Sequence, residues 1–522
     1  MKTNVVYVFF MALIVALGGF LLGFDSAVIS GAIKNYSLAF GIDQASFWFG
    51  FSVSSLTFGS IAGNLAGSIL ADKYGRKTIL IATAILFAFC ALGSAFSHNL
   101  TFFITSRIVG GLGVGMAILV APMYIAEIAP QKYRGTMVSI NQLNIVLGIS
   151  VAFFSNYYIN GHVADPDANW RWMLGIGVVP AALYLLLLFF VPSSPRWLAQ
   201  QGRLDEAKKV LNKVAGEEYA AATLKEIEEN IQKDKGRVKA YFSQLFTREM
   251  RWIMLIGLGI AFIQQISAIN AILYYAPIIF ETAGGGRDAA LMQAIIIGLV
   301  NLVFTIMAMF FIDKLGRKPL LIIGLTGIVA AYVLCSSAFF QAEYKIDQQA
   351  IEKIALQLPK DKFNEEQVQQ ITTGLTPLVG KQFTGELDFY SNVEQSTGTY
   401  YKDVKDIVLK NSITMNAMLV LIGILIFIGA FAISLGPVTW ALLSEIFPNR
   451  IRGLAISVAG TFNALVSTLV VTLFPMELAK FGSGLTFALF AVIACLALLF
   501  VLKYVPETKG KSLEELEKML SK

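Results

Sequence analysis

Asp25 and Arg107 are charged residues set inside stretches that are otherwise apolar. An ionisable group in such a place costs free energy and marks a functional site, unless a partner neutralises it permanently as a structural bridge. A carboxyl group that gains and loses a proton, beside a guanidinium that does not, can link protonation to movement. A second polar set, Gln264, Gln265, Asn270, Tyr274 and Tyr275, also falls in an apolar stretch. Amides donate and accept hydrogen bonds without charge, and aromatic rings cover C–H faces, so the set suits a polyhydroxylated ligand. At about 3.6 residues per turn the five do not share one helical face. Positions 264 and 275 coincide, 270 and 274 lie together, and 265 points elsewhere. The helix is therefore expected to bend or unwind. Pro277 removes the bond to the carbonyl of Leu273 and is the local cause the sequence offers. The plainer alternative, amides that only join helices, stays open.

A third group of charges is duplicated. Asp72-Lys73-Tyr74-Gly75-Arg76-Lys77 returns as Asp313-Lys314-Leu315-Gly316-Arg317-Lys318, and Glu127 with Arg134 returns as Glu445 with Arg452. Pro192-Ser193-Ser194-Pro195-Arg196 is matched by Pro506-Glu507-Thr508-Lys509-Gly510. The offset between copies jumps from 313 − 72 = 241 to 445 − 127 = 318, which places one insertion between residues 318 and 445 of the second copy. Parallel repeats of this kind are a transporter plan. Asp72, Arg76, Glu127 and Arg134 can interlock with Asp313, Arg317, Glu445 and Arg452 when their side of the molecule closes, so they read as a gate.

The elements that carry these residues lie in lipid. Of 522 residues 56% are apolar and only 15% charged, against about 25% charged in a soluble domain. The net charge of +6 is no nucleic-acid signal, because the basic residues gather in loops on one side. Cys90, Cys335 and Cys495 are isolated in apolar runs, and His98 and His162 stand alone, so no metal centre or disulfide framework is expected. No phosphate-binding GxxxxGK[ST] loop occurs, and no nucleophile–base constellation lies in a polar segment, so neither a nucleotide motor nor an enzyme is expected.

Runs of the length a bilayer requires occupy about 5–31, 47–71, 78–97, 101–126, 137–161 and 172–191, then 252–282, 289–312, 319–341, 412–444, 453–476 and 483–504. The fold is an all-α membrane protein of twelve transmembrane helices in two six-helix bundles, 1–192 and 252–508. A helical linker, 193–251, joins them and a tail, 509–522, follows. The basic residues Lys73, Arg76, Lys77, Lys132, Arg134, Lys314, Arg317, Lys318, Arg450 and Arg452 follow the second, fourth, eighth and tenth runs. The opposite short loops carry only Lys34, Arg171, Arg287 and Lys480. The basic loops, the linker and both termini are thus expected in the cytoplasm. The insertion, 342–411, falls outside, and its eight lysines against eleven acids (8 − 11 = −3) agree. Short amphipathic helices broken at Pro359 and Pro377 are expected there, in a segment dispensable for transport.

The motifs together resemble the sugar porters of the major facilitator superfamily. The matching residues are Gly23 to Gly31, Asp72 to Lys77, Arg107-Ile108-Val109-Gly110-Gly111, Pro122 to Glu127, Gln264 to Asn270, Gly436-Pro437-Val438-Thr439-Trp440 and Pro506 to Gly510. The resemblance implies sugar ligands at Gln142, Gln264, Gln265, Asn270, Asn301, Trp440 and Asn463, with Phe431 and Tyr274 lining the cavity. It also implies that Asp25 and Arg107 couple transport to protons, since uniporting glucose facilitators have a neutral Asn at the first site. Asn463, Ala464 and Ile149 resemble the hexose facilitators, so a hexose and a pentose both remain open. Ser193 stands where the family carries a gate acid. The expectation is a proton-coupled monosaccharide symporter working by alternating access as a monomer in a plasma (bacterial inner) membrane. The proton is its coupling ion, no cofactor or nucleic acid is involved, and a facilitative uniporter or a sugar sensor on the same fold is the alternative.

Overall fold

The computed structural model describes residues 4–235, 244–245, 247–248, 250–359, 363–448, 451–511 and 515. Spans 1 to 5 are Val5–Ala39, Phe47–Tyr74, Arg76–Ala95, Leu100–Ile128 and Arg134–His162. Span 6 is broken into Pro166–Gly175 and Val178–Leu188. Span 7 is Arg251–Ile266 then Ile269–Thr282, span 8 Arg287–Leu315, span 9 Arg317–Phe340, and span 10 Ala417–Ile433 then Leu435–Ile446. Spans 11 and 12 share the helical stretch Arg452–Tyr504, whose backbone leaves helical values at Gly482 (φ 74°). Unbroken, it would measure about 80 Å at ~1.5 Å per residue, more than twice a bilayer's ~30 Å hydrocarbon core. Counting that stretch as two turns the eleven apolar helices among the described residues into the twelve expected spans.

Local chemistry sets the helix starts. Ser46 and Asn99 accept from the amides of Phe49 and Phe102, and Asn416 from that of Met418. Spans 3 and 9 begin at the same point of the repeat, after Gly75 (φ 90°) and Gly316 (φ 94°). Side chains other than glycine's rarely tolerate that backbone, which gives the repeated Gly in the charged knots its reason. Within the first bundle spans 2 and 4 touch backbone to backbone. A Cβ on Gly111 would lie 2.1 Å from the carbonyl oxygen of Leu56. Small residues permit this approach where lipid supplies no hydrophobic drive.

The linker forms the helices Pro195–Gln200, Leu204–Ala215 and Glu217–Lys235, as the spacing of 204–211 suggested. Residues 236–243, 246 and 249 of the linker, Arg450, the side chain of Asp313 and most of the tail lie outside the described residues. The insertion is folded. Glu343–Tyr344 pairs antiparallel with Ile413–Thr414 at its base, and Gln348–Gln357, Glu365–Leu375, Glu386–Thr397 and Tyr401–Ser412 are helices over a core that includes Ile354, Leu375, Phe389 and Val404. The expected breaks are present, at Pro359 and at Pro377 in a one-turn 3-10 helix.

One expectation is corrected. Pro277 does not break span 7, because it lies inside the continuous helix Ile269–Thr282. The break is at Ser267 and Ala268, and Ala268 (φ 62°) is the non-glycine residue in left-handed backbone among those described. Such a residue costs of order 1–3 kcal/mol unless its surroundings hold it. The surroundings do so: the Tyr332 hydroxyl donates to the Ser267 carbonyl and the Ser267 hydroxyl to that of Gln264, at 2.6 Å.

Candidate functional site

The break in span 7 aims its amides at spans 10 and 11. Gln264 Nε2 donates to the backbone carbonyl of Leu435 at 3.0 Å, in the first turn after the break of span 10. Asn463 Nδ2 donates to the carbonyl of Ala261 at 2.8 Å and to Gln264 Oε1 at 2.9 Å. Gln265 Nε2 donates to Asn463 Oδ1 at 3.0 Å. Asn270 Nδ2 donates to Gln265 Oε1 at 3.0 Å and to Ser467 Oγ at 2.8 Å. Backbone carbonyls at Ala261 and Leu435 can only accept, so they orient the whole chain of amides. One N–H of Gln265 and the Oδ1 of Asn270 take no part in these described bonds. A donor beside an acceptor matches two neighbouring hydroxyls of a sugar.

The rings flank this set. Trp440 is half-buried over Gly460, where a Cβ would meet the indole edge at 3.7 Å. Phe431 is half-buried just before the span 10 break and packs on Phe427 at 6.4 Å. Tyr274 is buried with its hydroxyl directed at Ser26 and Thr57 of the first bundle. Tyr275 leaves the set: its hydroxyl donates to the Val471 carbonyl at 3.1 Å and its ring stacks on Phe49 and Phe474, so it holds the bundles together. Gln142 is half-buried on span 5 and Asn301 buried on span 8. Those spans pack together through Ser150, which donates to the Gly298 carbonyl at 2.9 Å, but neither side chain joins the amide chain. Ser467 was missed by sequence reasoning. Its signal was its spacing, four residues after Asn463 and so on the same helical face.

Asp25 and Arg107 are both buried, at 4% and 2% exposure, yet they form no ion pair. Arg107 Nη2 reaches the backbone carbonyl of Asp25 at 3.4 Å, while Asp25 Oδ2 and Arg107 Nε have no partner among the described residues. The permanent bridge is therefore absent from this structure. Asp25 Oδ1 faces Gly177 in the break of span 6, where a Cβ would lie 3.3 Å away.

The duplicated charges form two matching clusters. Arg76 pairs with Asp72 at 2.9 Å and Glu127 at 3.0 Å, and Ser194 Oγ donates to Glu127. Arg317 pairs with Glu445 at 2.8 Å, and Thr508 Oγ1 donates to Glu445 at 2.5 Å. Arg134 is exposed and Arg452 donates to the Phe447 carbonyl at 3.1 Å. Each of these described pairs stays within its own bundle. The copies also differ at the head of the helix that follows the knot. Glu507 accepts from the amides of Arg317 and Lys318, both at 3.1 Å, and caps span 9. Burial pushes Glu507 up, but these amides and those of Lys509 and Thr508 outweigh it and hold the carboxyl below its usual range. Its counterpart is Ser193, and no described hydrogen bond gives the amides of Arg76 and Lys77 such a cap. Ser193→Glu is expected to supply one, stabilising the fold by about 1 kcal/mol. A thermal midpoint in detergent that does not rise would refute the cap.

The opposite end of the molecule joins the bundles, through Lys34 and Arg287, which sequence reasoning counted only as sparse loop charges, and through partners it did not single out. Lys34 of span 1 pairs with Glu281 of span 7 at 2.8 Å. Arg287 of span 8 donates to Asn160 of span 5 at 2.9 Å and to the Gly31 carbonyl at 3.0 Å, and Asn160 donates to Asp288 at 2.8 Å. Ser54 and Thr472 share a hydrogen bond of 2.7 Å, beside a contact so close that a Cβ on Gly50 would lie 1.9 Å from the Thr472 carbonyl oxygen.

Two repeated six-span bundles, a chain of buried and half-buried amides in the second of them and contacts that join the bundles at one end fit a membrane transporter of the major facilitator type. The family model for sugar (and other) transporters matches residues 11–357 and 399–520, leaving unmatched only a stretch of the insertion between them and the chain ends. The arabinose-proton symporter of Bacillus subtilis is 35% identical over 98% of this chain and 95% of its own length. The D-xylose-proton symporter of Escherichia coli is 33% identical over 98% and 96%. The solved inward-open structure of the E. coli xylose transporter XylE overlays with a TM-score of 0.74, 32% identity and coverage of 98% and 100%. The chain belongs to the sugar transporter family, and it is a multi-pass membrane transporter rather than an enzyme.

Proposed function

We propose that this chain is a proton-coupled monosaccharide symporter that works by alternating access. The observation that carries the proposal is the oriented amide chain of Gln264, Gln265, Asn270 and Asn463 in the second bundle, with described contacts that join the two bundles at one end. Similarity to arabinose- and xylose-proton symporters supports the substrate class and the coupling ion. Gln265 and Asn270 bind neighbouring hydroxyls, Trp440 and Phe431 cover the C–H face, and Gln142, Asn301 and Tyr274 complete the cavity. Gln264 and Asn463 act as ligands once the sugar reorganises their bonds.

By the excess of Lys and Arg in its loops, the joined end faces outside and the other end, with the termini, faces the cytoplasm of a bacterial inner membrane. The state described is then inward-facing. Asp25 protonated from outside loses its attraction for Arg107, the first bundle is freed to move, and the proton leaves inward with the sugar. The separated Asp25 and Arg107 are consistent with that step. The protein acts as a monomer, with every proposed ligand carried by one chain. The test is sugar counterflow with a labelled panel in proteoliposomes, followed by accumulation under a proton gradient. The sugar is a hexose or a pentose, as Asn463 and Ala464 leave both open, and a facilitator without coupling is the second reading.

The charged clusters around Arg76 and Arg317 close the cytoplasmic end by pairing across the bundles, with Arg134, Asp313 and Arg452 as further members of the gate. Arg134→Ala is expected to favour the inward-open state. An engineered Cys at the cytoplasmic mouth should then react faster with a maleimide than in the parent. An unchanged rate would remove Arg134 from the gate.

A further inference from the structure

The insertion does more than decorate a loop, because it touches both bundles. It is tied to the second bundle by its two covalent ends and by Glu386, whose carboxylate accepts from the Ser483 amide at 2.7 Å and its hydroxyl at 3.2 Å, beside the turn at Gly482. Its last helix, Tyr401–Ser412, reaches to the first bundle. Asp406 pairs with Lys34 at 2.7 Å, and Lys405 donates to Gln44 at 2.8 Å, in the loop between spans 1 and 2. Lys34 is thus held between a carboxylate of span 7 and one of the insertion. The three side chains are screened unequally, with Glu281 15%, Lys34 26% and Asp406 44% exposed. Burial pushes the Asp406 carboxyl up, but Lys34, Lys405 and Arg287 outweigh it and hold it below its usual range.

We propose that the 342–411 insertion is a clamp that holds its own end of the transporter closed, engaging Lys34 and Gln44 of the first bundle only when the bundles meet there. The insertion moves with the second bundle, so any rotation that opens this end carries Lys34 and Gln44 away from Asp406 and Lys405. A contact made in one state and lost in the other shifts the equilibrium toward the first by its own free energy. The Arg287–Asn160–Asp288 contacts close the same end without the insertion, so the clamp biases the transition and does not create it. This inference rests on the alternating-access reading.

The test uses the full-length chain carrying Ser54→Cys, a position buried against Thr472 at the closed end, and an impermeant maleimide, with the chain lacking Ser54→Cys as the labelling blank. Adding Lys405→Ala and Asp406→Ala together is expected to raise the labelling rate several-fold. Asp406→Glu should keep the parent rate, and so should Glu365→Ala, an exposed change elsewhere on the insertion. Joining Gln341 to Asn411 through a short Gly/Ser linker should label at least as fast as the double variant and still bind sugar. An unchanged rate in a double variant that retains sugar counterflow overturns the clamp while leaving the transport reading intact. Absence of counterflow in the parent chain defeats the transport reading itself.

Discussion

Asp25→Asn is expected to abolish uphill accumulation of sugar while sparing sugar binding and counterflow. The change replaces a group that titrates with a near-isostere that is always neutral, as the protonated acid is. Binding and counterflow need the bundles to move but no net proton cycle, so they persist. Accumulation needs each inward step to carry a proton. For one proton per sugar, each unit of pH difference is worth about 1.4 kcal/mol and sustains up to about tenfold accumulation. In the Asn variant that ratio falls to one. Tritiated-sugar uptake into proteoliposomes under an imposed pH step measures it. A variant that still concentrates sugar in a proton-dependent manner would remove Asp25 as the coupling residue. The proposed role fits the surroundings of this residue. Its carboxylate is buried, shares no ion pair with Arg107, and sits against the broken segment of span 6.

The second large effect is expected at the amide chain. Asn270→Ala removes the acceptor left free for the ligand and leaves Gln265 Oε1 and Ser467 Oγ without their donor. Gln265→Ala removes the free N–H and disconnects Asn463 from Asn270. Each should weaken sugar binding by about 1–3 kcal/mol, or roughly 5- to 150-fold in Kd. Trp440→Ala should add a loss of stacking surface to a loss of shape. Titration calorimetry or tryptophan quenching on the purified variants reads these changes, with quenching reserved for those that keep Trp440. Affinities equal to the parent's for every transported sugar, in all three variants, would place the site elsewhere.

The fold was legible because lipid imposes a simple rule: runs of about 20 apolar residues, separated by charged loops. The repeat was legible because both copies need a Gly with positive φ at the head of a helix and an Arg–Glu pair beside it, Gly75 with Arg76 and Glu127, Gly316 with Arg317 and Glu445. The need for a break in span 7 followed from five polar residues that no single helical face can hold. Its position did not, because an Ala in left-handed backbone leaves no trace in a sequence, and the hydroxyl that steadies Ser267 comes from Tyr332, two spans away. The charges that close one end were illegible for the same reason. Lys34 and Glu281 are 247 residues apart, and Asp406 belongs to a segment whose helices could be expected but whose docking could not.

Proton-driven accumulation by the unmodified protein tests the account most directly. The measurement is uptake of a labelled pentose and hexose panel into proteoliposomes, with and without an inward proton gradient, and with counterflow on the same preparation. The account predicts counterflow of at least one monosaccharide, and accumulation of that sugar above its outside concentration only while the gradient lasts. Counterflow without any gradient-dependent accumulation would contradict proton coupling and leave a facilitator in its place.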